Sequence, residues 1–264
     1  MIREYRELTR KEMEAADRAQ TPVIIPLGAL EQHGSQAPLG TDAIIAEAMC
    51  RELKKQLNEK EPDADLLFFP VFQVGLSIEH LDFCGSVSFS PETYYAMLKD
   101  VCLSLKRHGF RKIIFLVCHG GNRAHVDVLS REMREQGLYV FALSSGAFSD
   151  PRVQATISCK NGFDFHGGEM ETSMVMAVDE KLVHLEDSEA GYPAFHKQFS
   201  HIGISGSAAL NWVADDWKTK EGKPIGIGGD PKGASKEKGE IILQVSAEVL
   251  VPAILEIVHF RVSE

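Results

Sequence analysis

Glu31, His33 and Asp42 sit together in the stretch LEQHGSQAPLGTD, just past the apolar run Val23, Ile24, Ile25. A carboxylate, an imidazole and a second carboxylate suit zinc, manganese or iron, because mixed nitrogen and oxygen donors fit borderline first-row cations. With carboxylates in surplus, two ions become feasible, one Asp bridging them. Ion pairs about 3.5–4 Å apart recur in hydrolytic enzymes, where bound water is acidified to a pKa of about 7. In an extended backbone, residues i and i+2 project to the same side, so Glu31 and His33 aim at one place while Gln32 points away. Asp42 follows Gly40 and Thr41 at the mouth of a helix, where it is either a ligand or an N-cap.

The tripeptide HGG occurs twice, at 119–121 and 166–168, each time abutting a helix start. Glycines beside a histidine let backbone or substrate approach closely. HGGEMETS also carries Glu169 and Glu171; residues two apart do not share a helix face, so one of them serves the site. Cys118 reads as a structural thiol ending a buried strand. GIGGDPKGAS (226–235) reads as a turn and helix start rather than a phosphate cradle. His108, His125, His184, His196 and His201 lack a ligand-like context. Trp212 and Trp217 read as packing residues, with a substrate lid as the alternative.

These residues need a scaffold to converge, and strand-like runs alternate with helix-like ones. Val23–Pro26, Asp65–Pro70, Lys112–Cys118 and Leu138–Ser144 read as strands. Helical spacing marks Asp42–Lys60. A second helix runs from Ser90-Pro91 to about His108, with Ser90 as N-cap and Pro91 at N1. Others follow HGGN up to Gly137, lie over HGGEMETSMVMAVDE, and run from about Ser235 to Phe260. The alternation implies an α/β fold, three-layer α/β/α with a mainly parallel central sheet, in one domain over residues 1–264. In such sheets, sites form outside the carboxyl ends of the strands. Glu31 and His33 follow one strand, His80 lies after the next and His119 directly follows a third, so ligand-type segments meet at one edge. Residues 185–232 show no clear pattern.

The chain has 264 residues, 44% of them hydrophobic and 25% charged, with a net charge of −10. That balance argues against nucleic acid or an anionic membrane as partner, since both reward basic surfaces. No signal peptide is evident at the N-terminus, and no run reaches the about 18 apolar residues of a spanning helix. Five scattered cysteines without a CxxC suit a reducing compartment, so the expected location is cytoplasmic.

LGALEQHGSQAPLGTD, GLSIEHLDFCGSVSFSPET, CHGGN, HGGEMETS and GDPKGASKEKG occur in the order expected of the creatininase (creatinine amidohydrolase) family, which the chain resembles over roughly residues 21 to 240. The resemblance implies a dinuclear site and hydrolysis of an amide-type C–N bond, in a cyclic amide or formamide-like small molecule, by a metal-bridging hydroxide. Glu31 and His119 would hold one ion and His33 the other, with Asp42 bridging and His166 as the catalytic residue. Creatininase has a Glu two residues after the histidine matching His119; this chain has Gly121, so the second ion either loses a ligand or takes Glu171. His80, Asn122 and Phe165 are expected at the substrate, and Phe163 and Phe165 stand where Trp is expected. The metals would be zinc with zinc or manganese, iron being the alternative. A homo-oligomer is implied, six copies being creatininase's own form. The alternatives are a deformylase or peptidase acting on a cofactor precursor, and a catalytically idle metal- or ligand-binding protein of the same fold.

Overall fold

Successive residues of two central strands, Val23–Leu27 and Lys112–Val117, face two different cores. The computed structural model describes residues 1–159, 164–195, 198–204 and 207–263, so Phe163 and His196 lie outside the described residues. Its strands are β1 (Ile2–Glu4), β2 (Val23–Leu27), β3 (Leu66–Phe68), β4 (Lys112–Val117) and β5 (Tyr139–Ser144). They form one parallel sheet in the order β1-β3-β2-β4-β5. Ile24, Ile114 and Leu116 pack on one side against α2 (Thr41–Lys60), α6 (Glu169–Val178) and α7 (Lys236–His259). Val23, Ile25, Ile113 and Phe115 pack on the other against α3 (Pro91–Arg107) and α4 (Arg123–Glu135). Both β2 and β4 are buried throughout, which is why they read as unbroken apolar runs.

Several boundaries follow local chemistry. Ser90 Oγ accepts from Thr93 N and Pro91 opens α3, so that helix starts where the capping signal puts it. The short α5 (Pro151–Thr156) starts on an Asp150 cap. The edge strand β1 and the helix α1 (Arg10–Ala15) that follows it have no apolar run to announce them. β1 is half-buried and pairs only with β3, and Arg3 donates to Asp65 Oδ1 at 2.7 Å, so a charged tripeptide suffices there. In the patternless segment, β6 (Tyr192–Pro193) pairs antiparallel with β7 (Trp217–Lys218). Strands of two residues are too short for periodicity to show.

By length and composition α7 could cross a membrane, although Gln244, Glu248 and Glu256 keep it from being a continuous apolar run. Here Ile242, Val251, Ile254 and Ile257 of α7 are buried in the core it shares with α2 and α6. Its C-terminus is held by Lys112, a fully buried lysine whose Nζ donates to Ile257 O, Val258 O and Phe260 O at 2.9–3.0 Å. A cation satisfying the last carbonyls of a helix is favoured both by hydrogen bonding and by the helix dipole. Lys112→Met keeps the stem and removes these bonds. It is expected to cost about 2 kcal/mol in urea unfolding; an unchanged midpoint would show that water serves those carbonyls equally well.

Candidate metal centre

Every ionisable group of the cluster comes from the carboxyl-end side of the sheet. The loop after β2 carries Glu31 and His33, the turn Ile78–His80 beyond β3 carries Glu79 and His80, and His119 follows β4. The entrance to α6 brings His166 and Glu171, and the first turn of α2 brings Asp42. Glu31, His33, Asp42, His80, His119 and His166 are all buried. Asp42 is not the cap of α2: that position belongs to Gly40, and the Asp42 carboxylate turns toward the histidines.

The ring orientations follow from main-chain carbonyls. His119 Nε2 stands 2.8 Å from Leu76 O and His33 Nδ1 3.1 Å from Glu31 O, so these nitrogens donate. That leaves the lone pairs of His119 Nδ1 and His33 Nε2 facing the centre. Asp42 Oδ2 lies 3.7 Å from each of them, and Glu171 Oε2 lies 3.6 Å from His33 Nε2. Glu31 Oε2 is 3.3 Å from His119 Nε2. The lone-pair separations are too long for hydrogen bonds. They suit ligands of a shared ion: two donors each about 2.1 Å from a tetrahedral metal stand roughly 3.4 Å apart.

Two trios of donors result, Glu31/Asp42/His119 and His33/Asp42/Glu171, with Asp42 in both. A third trio, Glu31/His33/His166, overlaps them. Both oxygens of Glu31, Asp42 Oδ2 and His33 Nε2 are buried without a hydrogen-bond partner. Burial pushes the carboxyls of Glu31 and Asp42 well above their usual range, with neighbouring carboxylates adding to it, and pushes Glu171 up to about 7. Burial also holds His33 and His80 down to about 3 and keeps His166 well below its usual value. His33, His80 and His166 are therefore neutral, which is the form that ligates a metal. Orphaned oxygens beside neutral, lone-pair-bearing nitrogens are the donor set a pair of divalent cations requires.

Around this centre lies a cavity of about 660 Å³, lined by Asp42, His80, His119, His166 and Glu171 on one side and by Phe165, Trp212, Ile78, Ile204 and Val213 on the other. Trp212, from the patternless segment, meets His80 edge-on at 5.7 Å and Phe165 at 5.4 Å. Trp217 is fully buried behind them, 4.7 Å from the Phe165 ring. Asn122 is not on the cavity wall: it accepts from Leu76 N and donates to Gly28 O, tying two site loops together.

Gln32 does not point away from the site as strand alternation suggests. Its amide nitrogen lies 2.6 Å from Gly226 O, 3.0 Å from His80 Nδ1 and 3.2 Å from His166 Nε2. His166 Nε2 in turn lies 2.9 Å from Gln32 O, which places its hydrogen there and leaves Nδ1 facing Glu31 Oε1 at 3.5 Å. The chain turns at Gly34 with φ +75°, so the alternation of a straight strand does not apply. Of the two glutamates in HGGEMETS, Glu171 faces His33. Glu169 instead accepts from Ser158, Cys159 and Lys238 and pins the start of α6. Gly167, at φ +62°, lets this entrance pass His33: a Cβ there would meet Ile227 Cγ2 at 2.5 Å.

The orphaned oxygens make a stability prediction. Asp42→Asn removes a buried acid, so with chelator present its melting temperature should equal or exceed that of wild type. Added Zn²⁺ or Mn²⁺ should raise the wild-type melting temperature, as any ligand of the native state does, and leave the variant nearly unmoved. Equal metal-induced shifts in both proteins would remove Asp42 from the ligand set.

Known proteins share this arrangement of chain. The family model described as creatinine amidohydrolase matches residues 6–254. Creatinine amidohydrolase of Pseudomonas putida is 29% identical over 267 residues, 95% of each chain. The mycofactocin precursor peptide peptidase of Mycobacterium tuberculosis is 30% identical over 193 residues, 68% of this chain and 69% of that one. The solved structure described as Creatininase Mn superposes with a TM-score of 0.73 at 27% identity, over 96% of this chain and 97% of the other. A family match that runs from β2 through β5 and takes in every residue of the buried cluster settles the matter: this chain belongs to the creatininase (creatinine amidohydrolase) family.

Proposed function

We propose that the chain is a two-metal amidohydrolase that cleaves an amide-type C–N bond in a small molecule such as a cyclic amide or a formamide. The observation that carries this is Asp42 Oδ2, buried, without a hydrogen bond, and 3.7 Å from lone-pair nitrogens of both His33 and His119. Glu31 and His119 would hold one ion, His33 and Glu171 the other, and Asp42 both. Zinc with zinc or manganese suits these donors, and iron is the alternative; a manganese creatininase among the solved relatives supports the choice. When bound, the ions supply Lewis acidity toward the amide carbonyl and a water acidified enough to attack near neutral pH.

The chain's own residues do the rest. His166 Nδ1 faces the cavity with its lone pair free, because Nε2 donates to Gln32 O. It takes the proton released as the nucleophile adds and returns it to the departing nitrogen. Glu31 Oε1, 3.5 Å away, favours the transient imidazolium. His80, held by Gln32, turns Nε2 toward the same Glu31 oxygen at 3.4 Å. Trp212 and Phe165 form the apolar wall that shields the reacting group from bulk water.

A second reading, hydrolysis at the end of a peptide, is favoured by one feature. Ile78 and Val213 are 51% and 48% exposed where they line the cavity, an apolar rim on which a longer substrate can lie. The mycofactocin precursor peptidases among the relatives support it.

Elemental analysis of protein purified without chelator should find two ions per chain, falling in His33→Ala. Turnover in a screen of cyclic amides, formamides and short peptides should vanish on chelation. His166→Asn should keep both ions yet slow turnover about 100-fold or more. Fewer than one ion per chain, unaltered by His33→Ala, would overturn the proposal. Full turnover by His166→Asn would take the proton transfer away from that residue.

A further inference from the structure

Of the buried imidazoles at the centre, His33, His119 and His166 are oriented by main-chain carbonyls, and His80 is not. Its outer nitrogen, Nδ1, lies 3.0 Å from the side-chain amide nitrogen of Gln32. Which end of that amide is the nitrogen follows from the backbone on either side of it. Gln32 Oε1 accepts from Gly34 N at 2.9 Å, and Gln32 Nε2 donates to Gly226 O at 2.6 Å. An amide turned the other way would set its oxygen against the Gly226 carbonyl and its hydrogens against the Gly34 N–H.

The group beside His80 Nδ1 is therefore a donor, with one hydrogen left after Gly226 O. His166 Nε2, 3.2 Å from the same amide nitrogen, cannot take it, because that nitrogen donates its own hydrogen to Gln32 O at 2.9 Å. His80 Nδ1 accepts, and an imidazole that accepts at one nitrogen carries its hydrogen on the other. That other nitrogen, Nε2, is buried without a hydrogen-bond partner, 3.4 Å from Glu31 Oε1. The reversed ring would turn a lone pair onto that carboxylate oxygen, which is itself without a partner. Among the described residues, none of the trios of donors within ligand reach of one another includes His80.

We propose that Gln32 is a positioning residue whose amide fixes the hydrogen of His80 on Nε2, so that this imidazole presents an N–H to Glu31 and no lone pair to a cation. The consequence, which rests on the two-metal reading, is that each ion finds one imidazole, His119 or His33, although His80 stands beside Glu31. The placement of the hydrogen itself does not depend on that reading.

Long-range proton–nitrogen correlation spectra of the full chain, isotopically labelled in its histidines, report which ring nitrogen carries each hydrogen. The His80 signals are those that disappear in His80→Gln. In wild type with chelator, His80 should show a protonated Nε2 and an unprotonated Nδ1. Gln32→Glu should reverse the pair: a carboxyl oxygen has at most one hydrogen, Gly226 O claims it, and His80 Nδ1 must then donate. Gln32→Leu, which neither donates nor accepts, should show both forms. Losing the Gly34 and Gly226 bonds lowers the melting temperature of either variant, but a merely structural Gln32 would leave the His80 hydrogen in place. A wild-type hydrogen on Nδ1, or one that stays wholly on Nε2 in either variant, overturns the proposal. Zn²⁺ added to wild type should shift the His33 and His119 signals and leave the His80 hydrogen on Nε2; its loss would make His80 a ligand and overturn the proposal too. Unshifted His33 and His119 signals would count instead against the two-metal reading, so the two fail separately.

Discussion

Burying the acids of Glu31 and Asp42 without a hydrogen bond is the constraint on which the rest of the molecule is organised. A carboxylate out of water and unpaired costs several kcal/mol, and here two such groups lie side by side. A chain tolerates this only where the surrounding structure is stiff enough to prevent their escape to solvent. The two fully buried strands β2 and β4 supply that stiffness, and α2 and α6 deliver Asp42 and Glu171 from a third direction. The stability given up at the centre is returned by cores on both faces of the sheet and by fixed polar contacts such as Lys112 at the end of α7.

How much of this can be read from residues alone depends on how local the signal is. β2 and β4 announce themselves because burial on both faces demands continuous apolar runs. Helix starts at Ser90-Pro91 and Ser235 are equally readable, because a cap and its target lie three residues apart. The convergence of Glu31, His33, His80 and His119 follows from the parallel-sheet rule without knowledge of any distance. β1, β6 and β7 escape detection because two or three residues cannot display a period.

The site residues that sequence reasoning misses are those whose role is fixed by long-range geometry. Gln32 is placed wrongly because a turn at Gly34 breaks the strand alternation. Trp212 reaches the cavity through a segment with almost no regular structure. Asp42 is ambiguous in sequence because the same residue type caps helices and binds metals; only the sight of Gly40 at the cap position separates the two. The choice between Glu169 and Glu171 is different, since helical spacing shows that one must turn away but not which.

The imidazoles of the centre share a feature with a wider meaning. His33, His119 and His166 are each oriented by a main-chain carbonyl, that of Glu31, Leu76 and Gln32 respectively. Gln32, which steadies His80, is itself held by the carbonyl of Gly226. A carbonyl is offered by every amino acid, so the segments supplying these contacts can drift in side chain without disturbing which nitrogen carries the proton. The wall of the cavity can thus be rewritten through evolution, with Trp212, Ile204 or Val213 exchanged for residues that admit another molecule, while the proton inventory of the centre is passed on unaltered. Inheritance of the chemistry and inheritance of the substrate are, in this architecture, written in different parts of the polypeptide.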